Sequence, residues 1–578
     1  MKKYFFSVLI SVITISLGCH KEDIPKYPGV ENDTEFDNGS GIVISPLNQR
    51  LMNDLDLLGK LWGFLKYHHP EIGKGEYHWD YELFRILPAY LKAENNQERD
   101  KVLSEWINKY GKISDCKSCK ETPSGAFLKP DLSWVQNSNM NDDLKKKIQE
   151  IYSNRHQGKH YYIEFAPNVG NPVFLNEKIY SNMKYPDAGF RLLALYRYWN
   201  MIQYFFPYIY QTDKNWNNVL IEYIPMFISA RNRLEYELAA VQIIGEVNDT
   251  HANLWGGRNS ILEMRGDRFA PFRVWFIEGK LVVTDYYNWE LKGTAGLEIG
   301  DVITHIDGKS IEFIVDSIKK YYPASNEAAR LRDISFDMLR SDNSTININY
   351  ISSVTSGQKE LQLYVGNTLN RYGTYKVNNN EKCYKFLDEN IGYITLSTIK
   401  SDDIPVIKEI FKNTRGIIID IRNYPSTFVP FLLGSYFVSS STPFVKFTTG
   451  NINNPGEFSY TPELNVSPMG ESYKGKLIVI VNEVSQSQAE YTAMAFRAGR
   501  NTTIIGSTTA GADGNVSTIL LPGELQTMIS GIGVYYPDGR KTQRVGIVPD
   551  IWLEPTIEGI KQGKDELLEK AIELINTQ

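Results

Sequence analysis

The chain is short of cysteine, of histidine and of any excess of positive charge, and each shortage removes a class of function. Four cysteines in 578 residues cannot staple a fold of this size, so a disulfide scaffold is excluded. Cys116-Lys117-Ser118-Cys119 is the one CxxC, and without a second it does not complete a zinc site. Of the eight histidines, His68, His69, His78, His156 and His160 have no metal-ligand spacing with a nearby acid. They are expected to be surface or structural residues, and no metal or organic cofactor is expected. A net charge of −6 leaves no basic footprint for nucleic acid. What the chain does have is 42% hydrophobic and 12% aromatic content, the composition of a globular protein, with length for about three or four domains.

At the N-terminus Lys2 and Lys3 precede an apolar run, Tyr4 to Leu17, that is too short to span a membrane. Gly18-Cys19 follows, which resembles the lipobox of bacterial lipoproteins, although Ser16 stands where leucine is usual. The resemblance implies a signal peptide over 1–18, cleavage before Cys19 and a lipid anchor on its thiol. His20-Lys21-Glu22-Asp23 is similar to the short signal that sends Bacteroidota-type lipoproteins outward, so an outer-membrane protein facing the periplasm or the cell surface is expected. In an exported chain Cys116 and Cys119 read as a small-loop disulfide, which leaves Cys383 unpaired.

Residues 19–45 carry prolines, glycines and acids without periodicity and read as a flexible tether. Residues 46–264 show apolar positions at helical spacing, rich in Trp and Tyr, and are read as an α-helical domain with the aromatics in its core. The helix Leu234 to Ile244 delivers Asp249-Thr250-His251 to its end. From 265 to 372 short strands take over, and Gly296-Leu297, Gly300-Asp301 and Ile306-Asp307-Gly308 form a pattern that resembles a PDZ domain. That resemblance implies an extended peptide added at a sheet edge beside Gly296 and Leu297. Residues 383–578 alternate buried strands with helices, the signature of an α/β core with parallel strands.

The centre of that core is the run Lys476 to Val516. An apolar strand, Leu477 to Val481, enters a polar turn that holds Ser485 and Ser487. A helix stopping at Gly499, a second strand from Thr503 to Ile505 and the glycine-rich turn GSTTAGADG come next. A serine between a strand end and a helix start lies near unpaired amides that can stabilise an oxyanion, although most such serines are only helix caps.

In order, then, the chain offers a DTH turn, a PDZ-like segment, a strand ending in DIRNYPS, and a strand entering SQSQAE. This combination resembles the tricorn and C-terminal processing family of serine peptidases, and GRKTQRVGIVPDI fits its closing segment. The resemblance implies a crotonase-like catalytic core with Ser487 as nucleophile, Ser485 as the preceding non-nucleophilic serine and Glu490 at the motif's glutamate. The oxyanion donors implied are the amides of Gln488 and Ser426, although Ser426-Thr427 replaces a Gly-Gly pair. The lysine base of one branch would fall at Ala512 and is absent. The tricorn-like branch uses a histidine after a small hydroxyl residue, which Thr250-His251 matches. Gln543 stands near that branch's orienting glutamate, with Asp538 and Glu554 close in sequence.

The function implied is a serine endopeptidase acting through a Ser487 acyl-enzyme on unfolded or C-terminally exposed polypeptides. The alternative is a catalytically silent relative that binds peptides or a partner at the envelope. A glycan hydrolase would need paired carboxylates on facing turns, and none can be picked out. Fold alone would also admit an acyl-CoA enzyme, against which the lipobox and PDZ-like segment argue.

Overall fold

The computed structural model describes residue 30 and residues 32–353 and 355–577. The expected signal peptide and the lipidation site Cys19 lie outside the described residues. Among the described residues no helix is long and apolar enough to cross a membrane.

The first layer is helical. Helix α1 (Gln49–His68) packs against α2 (Ala188–Phe205) and α3 (Trp216–Ser229). Every residue of α2 after Ala188 is buried, as expected of a helix apolar all round its axis. The aromatics are core, as their spacing suggests: Trp62, Trp79 and Trp199 are almost wholly buried. They form a repeated device. Trp62 and Trp79 each donate an indole N–H to the other's carbonyl at 3.1 and 3.0 Å, and Trp199 and Trp216 do the same at 2.9 and 3.0 Å. Both pairs are separated by 17 residues, and both are followed by a proline inside the second helix, Pro88 and Pro225. Where α1 crosses α2, a Cβ on Gly59 would meet the Tyr196 ring and one on Gly63 would meet Asn200, so these glycines set the interhelical distance. The five histidines discounted above are all buried here.

The expected tether is corrected in its second half. Ser40 donates its amide and hydroxyl to Asp187, both at 2.6 Å, while Asp33 and Glu35 pair with Arg85. Ile42 and Ile44 enter the helical core. Asp187 is the N-cap of α2, so the segment is pinned to a helix start that already needs a carboxylate. The apolar alternation Ile42/Ile44 is too short to register as an element. Cys116 and Cys119 are disulfide-bonded, and Cys383 is buried with its thiol unbridged.

The second layer is an antiparallel sheet. Its strands β1 (Phe272–Ile277), β2 (Lys280–Tyr286), β3 (Val302–Ile306), β4 (Thr345–Ile351) and β5 (Ser356–Gln362) lie in the order 5-4-3-2-1. Helix α4 (Glu327–Ser335) packs on β1.

The third layer is a six-stranded sheet in sequential order: β6 (Tyr384–Asp388), β7 (Ile391–Thr395), β8 (Gly416–Asp420), β9 (Lys476–Val481), β10 (Thr502–Gly506) and β13 (Ile551–Trp552). The first pair is antiparallel and all the others are parallel. All of β8 and nearly all of β9 are buried, which explains their unbroken isoleucine and valine runs. Between β10 and β13 the chain makes a hairpin, β11 (Val516–Leu521) with β12 (Leu525–Ser530), which leaves this sheet. Its residues Ile519, Leu521, Leu525 and Ile529 belong to the core of the helical layer.

Candidate active site

Two serines share the turn after β9, and the structure separates them. Ser485 is fully buried and fully engaged: its hydroxyl donates to Ile421 O at 2.7 Å and accepts the Asn482 amide at 3.2 Å. Ser487 is half-buried and is the N-cap of helix α5 (Gln488–Arg497). Its backbone lies at φ 57°, ψ −119°, a region that costs a residue with a Cβ roughly 1–3 kcal/mol. Glu490 holds the strain. This fully buried carboxylate accepts the amides of Ser487 at 3.1 Å, Gly511 at 2.9 Å and Ala512 at 3.1 Å, and also the Thr509 hydroxyl. Burial pushes its pKa up to about 7 against these donors. The Ser487 amide also donates to Ala512 O at 2.9 Å. Ala512 thus serves this site with its backbone.

The histidine arrives from the helical layer. Asp249 is fully buried and accepts the amides of His251 at 3.0 Å and Ser530 at 2.6 Å. The Ser530 hydroxyl donates to Asp249 Oδ1 at 3.1 Å and lies 2.9 Å from His251 Nδ1. Because that hydroxyl proton is spent on the carboxylate, its lone pair faces Nδ1, which must carry the ring proton. Nε2 is left as the basic nitrogen. Burial, aided by the Arg332 charge and opposed by Asp249, lowers the His251 pKa, so the ring is neutral at pH 7. Thr250 fixes the turn and not the chemistry: its hydroxyl donates to Ala510 O at 3.0 Å and accepts the Ser325 amide at 2.9 Å.

The DTH turn and the serine turn meet through the glycine-rich turn. Thr250 bonds to Ala510, and the Ala510 amide bonds to Ser485 O at 3.0 Å. Among the described residues no hydrogen bond joins His251 to Ser487.

Three expected site residues need correction. Gln543 is buried but neither end of its amide has a hydrogen-bond partner among the described residues, and it does not orient His251. Ser530 and Asp249 do, because β12 docks beside the DTH turn, with Trp255 and Gly256 donating to Gln526 O at 2.8 and 3.2 Å. Of the acids near Gln543, Asp538 pairs with Arg540 on the surface. The Ser426 amide is already spent on Leu396 O at 2.9 Å and its hydroxyl on Ile399 O at 2.6 Å. Gln488 keeps its expected place as the first residue of α5, and its side chain donates to Thr427 O at 2.9 Å. Leu297 is a core residue of the middle layer, its carbonyl taken by the Tyr286 hydroxyl at 2.8 Å, and Gly296 ends a short helix at φ 58°. Sequence reading missed Ser530, for which no motif signals, and left Asp249 without a role although the DTH turn displays it.

A cavity of about 610 Å³ opens between β1 and the carboxyl ends of the parallel strands, lined by Trp275, Arg332, Asp420, Asn423, Glu483 and Glu554 among others. Neither Ser487 nor His251 lines it.

A neutral, oriented imidazole and a strained serine at a strand-to-helix turn are the two principal parts of a serine-hydrolase site. Comparison with known proteins narrows the class. Residues 390–553 match Peptidase family S41. A carboxy-terminal-processing protease of Bartonella bacilliformis is 37% identical over 93 residues, which is 16% of this chain and 21% of that protein. The chain therefore matches about a fifth of that curated relative's length. Mature CPAF has the same fold over 68% of this chain and 98% of its own, with a TM-score of 0.54 at 13% identity, and CPAF complexed with lactacystin gives 0.53 at 14% over 68% and 99%. The segment that matches Peptidase family S41 is the one that contains Ser487.

Proposed function

We propose that the protein is a serine endopeptidase in which Ser487 attacks the peptide carbonyl and His251 is the general base. The observation that carries this reading is the chain Asp249–Ser530–His251, which fixes the proton on Nδ1 and frees Nε2, in a ring held neutral. His251 removes the Ser487 proton, the acyl-enzyme forms, and the imidazolium returns that proton to the leaving amine. Asp249, reached through Ser530, stabilises the imidazolium. The Gln488 amide, at the start of α5, is one oxyanion donor.

The finer features expected above belong to this proposal. Residues 265–372 act as a PDZ-like module that presents an unfolded or C-terminally exposed polypeptide, and residues 383–578 are a crotonase-like core. Helix α4 of the middle layer reaches the serine turn, where Arg332 donates to Glu483 O at 2.9 Å and to Gln486 Oε1 at 3.1 Å. The mature chain is anchored through Cys19 at the outer membrane. A second reading, a catalytically silent peptide- or partner-binding protein, is favoured by one observation, the lack of a hydrogen bond between His251 and Ser487. Catalytic hydrogen bonds often tighten only when substrate binds, so reactivity decides between the two. Full-length protein is treated with a fluorophosphonate probe beside Ser487→Ala and His251→Ala. Labelling abolished by both substitutions supports the peptidase. Folded protein that does not label leaves the silent reading.

A further inference from the structure

Beside the serine turn lies a stack of aromatic rings whose outermost member is open. Tyr491 stands one turn into α5: its amide donates to Ser487 O at 3.0 Å. Helical side chains lean toward the N-terminus of their helix, so its ring inclines toward the nucleophile. Phe428 follows Thr427, whose carbonyl takes the Gln488 side chain at 2.9 Å. Its ring lies on that of Tyr491, with centroids 5.9 Å apart and planes 22° from parallel. Behind this pair stand Phe444 and Phe447, 5.3 and 6.1 Å from Tyr491, and Phe431, 6.0 Å from Phe428. Phe444 is buried in the core of the third layer, and Phe431, Phe447 and Tyr491 pack against that core. Phe428 is 51% exposed. A large apolar side chain left half in water, on a rigid backing beside a nucleophile, is the informative kind of exposure.

We infer that Phe428, backed by Tyr491, is the specificity-determining shelf for the substrate residue on the acyl side of the scissile bond, and that it takes an aromatic side chain. The inference deepens the serine-peptidase reading and rests on it. The side follows from the proposed chemistry. The leaving amine must lie next to His251 to take its proton, and that ring is held from Ser530 while its turn is bonded to Ala510. The shelf is joined instead to Gln488, whose amide holds the oxyanion. The acyl residue carries that oxygen, so its side chain is the one beside the shelf. The rings bear no charge, and a lysine or glutamate side chain would give up water there with nothing to pair with. An aliphatic side chain gains buried area, and an aromatic one adds offset stacking, worth roughly 2- to 10-fold. The backing rings are already held by the core, so the shelf needs no ordering when substrate binds.

The test uses the full-length protein and four internally quenched peptides that differ only in the acyl-side residue: phenylalanine, leucine, alanine or lysine. Mass spectrometry locates the bond that is cut. The expected kcat/KM falls in that order, with phenylalanine over alanine by roughly tenfold or more. In Phe428→Ala the same ratio should drop to within about threefold. A wild-type ratio within threefold overturns the inference. So does a ratio that Phe428→Ala leaves unchanged, because a residue that only props the turn would slow all four substrates alike. Aromatic residues collected on the leaving-group side overturn it as well. Should Phe428→Ala not fold, Phe428→Leu replaces it. The phenylalanine-over-leucine ratio, which reports stacking, should then fall to about one, and an unchanged ratio overturns the inference. Protein that labels at Ser487 with the fluorophosphonate probe but cuts none of the four peptides overturns this inference alone. Failure to label at Ser487 is a different result, since it defeats the peptidase reading and the inference with it.

Discussion

Replacing Asp249 by asparagine changes one atom and should reverse the polarity of the base. Asp249 accepts the Ser530 amide at 2.6 Å on one oxygen, and on the other the His251 amide at 3.0 Å and the Ser530 hydroxyl at 3.1 Å. An asparagine keeps its oxygen on the shorter contact and turns its NH₂ toward the hydroxyl. The hydroxyl must then accept from that NH₂ and donate to Nδ1, which moves the ring proton to Nε2. Recovering the active tautomer means breaking two buried hydrogen bonds of roughly 1.5–3 kcal/mol each. The sum of about 3–6 kcal/mol corresponds to roughly 10²–10⁴ in kcat/KM. The His251 amide also loses its acceptor, at a cost of about 1–3 kcal/mol in stability. Ser530→Ala should be milder, because Asp249 Oδ1 already lies 3.7 Å from Nδ1 and can take the ring proton's hydrogen bond directly. In the Ser530→Ala background Asp249→Asn loses the hydroxyl through which it acts, so the two changes should be non-additive. Peptide hydrolysis by the four proteins, with ¹⁵N spectra of the His251 ring, measures all of this. Asp249→Asn activity within tenfold of wild type, or a ring proton still on Nδ1, would refute the argument.

The lowered pKa of His251 places the acid limb of kcat/KM below pH 6.5, since the base works only when neutral and stays neutral to lower pH; a limb at or above 6.5 in a pH–rate profile would contradict it. Burial lowers the pKa of His68 to about 3, so the unfolded chain takes up a proton below pH 6.5 that the folded chain refuses. The resulting loss is roughly 2–3 kcal/mol by pH 4.5. His68→Phe, a variant that cannot titrate, should therefore melt closer to wild type at pH 4.5 than at pH 7.5, as calorimetry would show. Gly63→Ala places a Cβ inside Asn200 and should cost about 1–3 kcal/mol in denaturant unfolding.

How much of this was legible in the sequence follows from the range of the interactions. The frame of the serine turn was, because a buried strand, an N-cap position and a glycine-rich turn are all local patterns. So were the aromatic core and the CxxC bridge. The duplicated Trp-and-Pro spacing of Trp62/Trp79/Pro88 and Trp199/Trp216/Pro225 is equally visible in the letters, but a search for helical periodicity looks straight through it. Ser530 could not be read. It ends a strand whose alternation reports only that Leu525, Thr527 and Ile529 are buried, and not that they are buried in the helical layer, against a turn far earlier in the chain. The Ser426 amide is equally silent, since no side chain records what its backbone is doing. The order at Ser40 depends on a distant helix cap, Asp187, so composition alone gave a tether.

The glycine-rich turn joins the histidine turn of one layer to the serine turn of another, as the proposed base and nucleophile require. Ala510 binds Thr250 through its carbonyl and Ser485 through its amide. Gly511 and Ala512 give their amides to Glu490, and Ala512 takes the Ser487 amide on its carbonyl. Thr509 O receives Asn326 Nδ2 at 2.9 Å from the middle layer, and Gly511 O receives the Arg544 amide at 2.8 Å. Five backbone groups of three consecutive residues thus bind the histidine turn and the serine turn, and flanking groups tie in the other segments. A lysine at position 512 would put the base on this turn itself, on a side chain. With alanine there, the same turn can act only through its backbone, which fixes positions and moves no proton. Under the proposed mechanism the base comes from elsewhere, and the hairpin β11–β12 would bring it by burying its apolar face in the helical layer while its last residue, Ser530, holds the His251 ring. On this reading the catalytic centre exists only when all three layers are assembled, and residues 383–578 alone would carry a serine with no base.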